Sequence, residues 1–92
     1  EHAFELDGYI SKYAKGWNFA RIPRMAAAIM RTAMYEVLYM PEIPNAVAVN
    51  EAVEITKNYE SAEVVSFVNG ILGTFVRTEF ADAPAKPEQA EE

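Results

Sequence analysis

The sequence predicts an all-α fold, a small helical bundle of four helices within residues 1–80. Three observations predict it. Large apolar residues recur at steps of three and four through most of the chain, the spacing that lines one face of a helix. Proline, glycine and serine stand at the ends of these periodic runs, where helices start and stop. No hairpin-type dipeptide separates two extended runs: Asn69-Gly70 does occur, but in a segment with helical periodicity on both sides. A brief alternation at Ala46-Val47-Ala48-Val49 is too short to outweigh this pattern.

In the first element, Ala3 to Trp17, the larger apolar residues fall at Leu6, Ile10, Tyr13 and Trp17 on one stripe, and Gly16 and Asn18 signal a stop. Pro23 opens the second, because a first helical residue has no use for its N–H, and Pro41 closes it after Met40. That helix is apolar nearly all round, with only Arg31 and Glu36 charged in its interior, so it belongs in the centre. After the linker Pro41-Glu42-Ile43-Pro44, a third helix from Ala46 to Tyr59 places Val49, Val53 and Ile55 toward the core and Glu51, Glu54 and Lys57 toward water. Ser61 is an N-cap for a fourth helix carrying Val64, Phe67, Val68, Ile71, Leu72, Phe75 and Val76 to about Phe80. Gly70 and Gly73 inside it each cost about 1 kcal/mol relative to Ala. Close approach of another helix backbone is the expected reason.

The chain has 92 residues, a formal charge of −6 and no cysteine, which excludes disulfide staples and cysteine-based zinc sites. Residues 81–92 contain no large apolar side chain and are expected to form a disordered acidic tail. There Asp82, Glu88, Glu91 and Glu92 against Lys86 hold half of the net charge, so overall acidity is a poor guide to the folded surface. No apolar run approaches the roughly 18 residues of a membrane span. The charged start Glu1-His2-Ala3-Phe4-Glu5 is not a signal peptide, so a cytoplasmic location is expected. The chain opens without Met in the middle of a helical pattern, and is expected to be a fragment.

Neither an enzyme nor a cofactor or metal site is expected. The single histidine, His2, lies at the terminus. Glu51 with Glu54, and Glu60 with Glu63, share helix faces but lack the histidine partners or burial that acid–base or metal chemistry requires. No phosphate-binding glycine loop or nucleophile motif occurs. One stretch points to contact with RNA. Between Gly8 and Tyr35 there is no acidic residue, while Lys12, Lys15, Arg21, Arg24 and Arg31 alternate with Tyr9, Tyr13, Trp17 and Phe19. Cations attract phosphates and flat rings stack on unpaired bases. An ordinary helical corner, with its rings in the core and its lysines in water, explains the same pattern. Tyr59, between two helices, is either a capping contact or a stacking platform.

Ile22-Pro23-Arg24, Ala33-Met34-Tyr35-Glu36-Val37-Leu38-Tyr39, Ile43-Pro44, Val47-Ala48-Val49-Asn50-Glu51-Ala52-Val53-Glu54 and Phe67-Val68-Asn69-Gly70-Ile71-Leu72 occur in this order. In order and separation they resemble signatures of the NusB-like transcription antitermination proteins, from Leu6 to about Val76. The resemblance implies a fold of two small helical bundles, with residues 1–80 supplying the C-terminal one. It implies a non-catalytic adaptor that binds the boxA element of nascent RNA together with the ribosomal protein NusE, within the RNA polymerase antitermination complex. By position it implies that Tyr13, Tyr59, Glu63 and Ser66 approach RNA; the acid-free basic stretch adds Lys12 and Lys15 as candidate RNA contacts. Ser66 stands where the family often has lysine, Ala26 and Ala27 where charged residues are common, and the family's arginine-rich N-terminal helix is not in this chain. The fragment alone is therefore expected to bind RNA weakly, and to self-associate through apolar surface around Tyr13, Met30 and Met34. Two alternatives are an accessory domain of a ribosomal-RNA cytosine methyltransferase and a helical interaction module without an RNA role.

Overall fold

The computed structural model describes residues 2–14, 16 and 22–80. Four helices follow in order: α1 (Ala3–Tyr13), α2 (Arg24–Tyr39), α3 (Asn45–Lys57) and α4 (Ala62–Glu79), with no strand among the described residues. The all-α architecture matches the sequence expectation. The tail and the residues Lys15, Trp17, Phe19 and Arg21 lie outside the described residues.

The local causes are legible helix by helix. The first helix was expected to reach Trp17, but α1 stops at Tyr13, followed by Ala14 in a non-helical conformation. Gly16 adopts φ +85°, a left-handed turn that costs glycine little and other residues more. Pro23 proves to be the residue before α2 rather than its first member: its ψ of 141° is extended, and its carbonyl accepts from the Ala27 N–H at 3.0 Å. At the start of α4 the Ser61 hydroxyl accepts from the Val64 N–H at 3.3 Å, the N-cap read from the sequence.

Helix α2 packs against the other three helices, with Ala26, Ala27, Ile29, Met30, Ala33, Met34 and Val37 buried. Ile10, Met30, Met34, Val68, Leu72 and Phe75 are fully enclosed. Burying a side chain of this size contributes about 1.5–3 kcal/mol. The surface proposed for self-association is thereby corrected: Met30 and Met34 are wholly inside, because α1, α3 and α4 close over that face of α2. The exposed large apolar groups include Phe4, Met25, Tyr35 and Tyr39 instead.

Two packing expectations are corrected by residue size. The buried stripe of α3 is Asn45, Ala48, Ala52 and Thr56, whereas Val49 and Val53 are half-buried and Ile55 is 45% exposed. Small side chains let α3 lie close to α2 and α4, and the Thr56 hydroxyl is satisfied inside by donating to the Ala52 carbonyl at 2.7 Å. The glycines of α4 are not sites of backbone approach: a Cβ on Gly70 would meet nothing within 4 Å, and one on Gly73 would meet only the Arg77 side chain.

Candidate nucleic-acid interface

The face formed by α1 and α4 brings together residues far apart in sequence. Phe75 is the hub. Its ring lies edge-on to Tyr9 at 5.0 Å, Tyr13 at 6.4 Å and Phe80 at 6.0 Å, geometries that suit the aromatic quadrupole. It therefore fixes where α1 presents its last turn. Beside it runs a groove of about 500 Å³ lined by Tyr13 from α1 and by Glu63, Ser66, Phe67, Gly70, Ile71 and Thr74 from α4. Three of the residues singled out in the sequence, Tyr13, Glu63 and Ser66, thus share one concavity.

Gly70 explains part of its shape. It is exposed, in the interior of α4, where it costs about 1 kcal/mol relative to Ala. No neighbour forbids a side chain there, so packing does not account for it. It lies on the wall of the groove. Ser66 also lines a second groove, with Val53, Lys57, Glu60, Ala62, Val65 and Asn69, and so stands on the ridge between the two.

Charge in this region is arranged by pairing. Glu79, the last residue of α4, accepts from the Lys12 ammonium at 2.9 Å and from the Tyr13 hydroxyl. Donation by Tyr13 and then by Lys12 holds the Glu79 carboxyl below the usual carboxylate range. The bond to Glu79 raises Lys12 above its ordinary value, and partial loss of water with the same carboxylate raises Tyr13. At neutral pH the trio is a cation, a neutral phenol and an anion. Arg31 is engaged as well, through a 2.7 Å bond to Asp7 that ties α2 to α1. Arg24 is exposed at the start of α2.

The remaining sequence candidates separate. Tyr59 occupies the turn between α3 and α4, outside the groove; its backbone N–H caps α3 by bonding to the Thr56 carbonyl at 3.0 Å, while the residue is 63% exposed. Lys15 lies outside the described residues. Within the described part of the basic, aromatic stretch, Tyr9 and Tyr13 edge the core while Lys12 stays at the surface, the arrangement of an ordinary helical corner. Glu79 was missed in the sequence, because it meets Tyr13 across 66 residues and nothing local marks it.

The described residues form an all-helical bundle with polar and aromatic groups set along an open groove. Among the described residues no cluster of three His, Cys, Asp or Glu side chains could hold a metal, and no helix is long and apolar enough to cross a membrane. The chain belongs to the NusB family, which it matches over residues 1–77. It is 46% identical over 88 residues to the transcription antitermination protein NusB of Acetivibrio thermocellus, covering 96% of this chain and 61% of that relative. With the protein of the same name from Symbiobacterium thermophilum the identity is 43% over 77 residues, covering 84% of this chain and 50% of the relative. With that of Lysinibacillus sphaericus it is 39% over 79 residues, covering 86% and 62%. The chain thus spans between half and two thirds of the length of these relatives.

Proposed function

We propose that this chain is part of a non-catalytic, cytoplasmic transcription antitermination adaptor. It holds boxA-type RNA together with the ribosomal protein NusE within the RNA polymerase antitermination complex. Family membership and the printed role of the relatives support the antitermination role. The observation that carries the RNA surface is the open groove between α1 and α4, which gathers Tyr13, Glu63 and Ser66 and is lined by a helix-interior glycine that packing does not require.

In this reading each residue has a physical task. Tyr13 and the exposed ring of Tyr59 stack on unpaired bases, since every base offers a π-face. Lys12 and Lys15 meet phosphates. Ser66 donates or accepts at a base edge, and the Glu63 carboxylate accepts from an exocyclic amino group. The non-catalytic reading follows the relatives, which are named transcription antitermination proteins.

Fluorescence anisotropy with a labelled boxA-type RNA, in the presence of NusE, tests it. Losing one stacked ring costs about 1–3 kcal/mol. Tyr59→Ala and Tyr13→Ala are therefore each expected to weaken retention by at least about fivefold, and Lys15→Glu to weaken it in a salt-dependent way. Unchanged retention in all three variants overturns the proposed surface.

A further inference from the structure

One carboxylate oxygen of Glu79 takes two donors from α1: the Lys12 ammonium at 2.9 Å and the Tyr13 hydroxyl. A cation and a phenolic O–H converging on a single anionic oxygen are the donors that a non-bridging phosphate oxygen accepts. Both ends of the contact reach water, with the Lys12 side chain 57% and that of Glu79 21% exposed. Tyr13 also lines the groove, so the contact stands at the groove's edge.

The α1–α4 junction has supports besides this contact. The α1–α4 junction is held underneath it by fully buried Ile10 and Phe75 and by the Tyr9–Phe75 ring pair at 5.0 Å. Glu79 is the terminal residue of its helix, and rotation about its own side-chain bonds moves the carboxylate away without disturbing the backbone. Lys12 and Tyr13 would remain beside each other on the last turn of α1.

We propose that Lys12 and Tyr13 form a phosphate subsite of the α1–α4 groove, and that the Glu79 carboxylate is its internal occupant, which a backbone phosphate of single-stranded RNA displaces. This deepens the RNA-binding proposal and rests on it. The consequence is selectivity by co-operation among contacts. A free phosphate must compete with a tethered carboxylate unaided, whereas an RNA strand already stacked along the groove delivers its phosphate at high local concentration. Glu79 therefore lowers the affinity of any phosphate for the site by the same factor, which empties it of a weakly held free anion while a strand held by further contacts stays bound.

The test is a cycle of four forms, unaltered, Glu79→Gln, Lys12→Met and the double variant, each titrated with a labelled single-stranded boxA-type RNA over a salt series. Glu42→Gln, on the linker, controls for the loss of one negative charge, and the helical circular dichroism of every form is checked. Glu79→Gln is expected to bind RNA roughly threefold more tightly than the unaltered chain, the size of an exposed ion pair. The slope of log affinity against log salt should be the same for these two forms and shallower by about 0.7 in Lys12→Met, one single-strand phosphate contact fewer. The gain in affinity should not appear in the Lys12→Met background or in Glu42→Gln. Inorganic phosphate titrated without RNA, followed by NMR shifts at Tyr13, should bind Glu79→Gln roughly threefold more tightly than the unaltered chain.

An equal gain with and without Lys12, or no gain at all while the unaltered chain binds RNA, overturns the phosphate subsite and leaves the RNA reading standing. Absence of RNA binding by every form overturns the RNA reading and the subsite with it.

Discussion

Replacing Phe75 by leucine probes how the α1–α4 face is built. Phe75 is fully buried and touches three other rings, so the substitution removes both volume and aromatic geometry. A hydrophobic swap of this kind costs up to about 1.5 kcal/mol for packing. The close Tyr9–Phe75 pair adds about 0.5–1.5 kcal/mol, and the two wider pairs less. The loss should therefore be about 2–3 kcal/mol. A chain of 92 residues has a total stability of roughly 5–14 kcal/mol at the usual per-residue value, so the variant remains folded. At about 4–8 °C per kcal/mol for domains of this size, its thermal midpoint should fall by roughly 10–20 °C, followed by circular dichroism at 222 nm. Phe4→Leu is the control: Phe4 is 93% exposed, and its midpoint should barely move. A shift of less than about 3 °C for Phe75→Leu would show that the ring cluster does not organise the α1–α4 junction.

Three further outcomes are expected. Ser61→Ala removes the side-chain cap of α4 and should lower the urea-derived stability by about 1 kcal/mol; no change would remove the cap from the account of that helix start. Gly70→Ala should raise stability by about 1 kcal/mol, since its methyl meets nothing, while weakening RNA retention by narrowing the groove; a gain in stability with RNA retention intact would leave the glycine without a role there. Burial, with the nearby Glu51 charge, pushes the Glu36 carboxyl above the ordinary value of 4.5. Its folded state therefore favours the neutral form, and that contribution is present below 4.5 and lost as pH rises through the folded value. Glu36→Gln should thus raise the thermal midpoint at pH 7, the gain disappearing below pH 4.5; a pH-independent difference would contradict this.

Much of the fold was legible because helical periodicity and end signals are local. Ser61 and the stripe Phe67, Val68, Ile71, Leu72 and Phe75 stand in the structure as the sequence implied. What failed was the ranking of residues by apolarity alone. In α3 the larger Val and Ile side chains were expected inside, yet Ala48, Ala52 and Thr56 face the core, because closeness of helix axes favours small groups and a threonine can satisfy its hydroxyl on its own helix. Gly70 invited an explanation by packing, and only the space around it shows that none applies. The candidate site was partly visible: Tyr13, Glu63 and Ser66 converge, but the convergence rests on α1 meeting α4, a contact with no signature in either segment. Glu79 is the clearest case, since an ion pair across 67 residues depends wholly on tertiary structure.

The central claim, that function resides in contact along the α1–α4 groove, is tested most directly by nitrogen–proton NMR of the chain during titration with boxA-type RNA. Amide shifts should concentrate at Tyr13, Ser66 and Gly70 and extend to Tyr59. Shifts confined to the separate α2–α3 groove around Ala28, Thr32 and Glu51 would contradict the account.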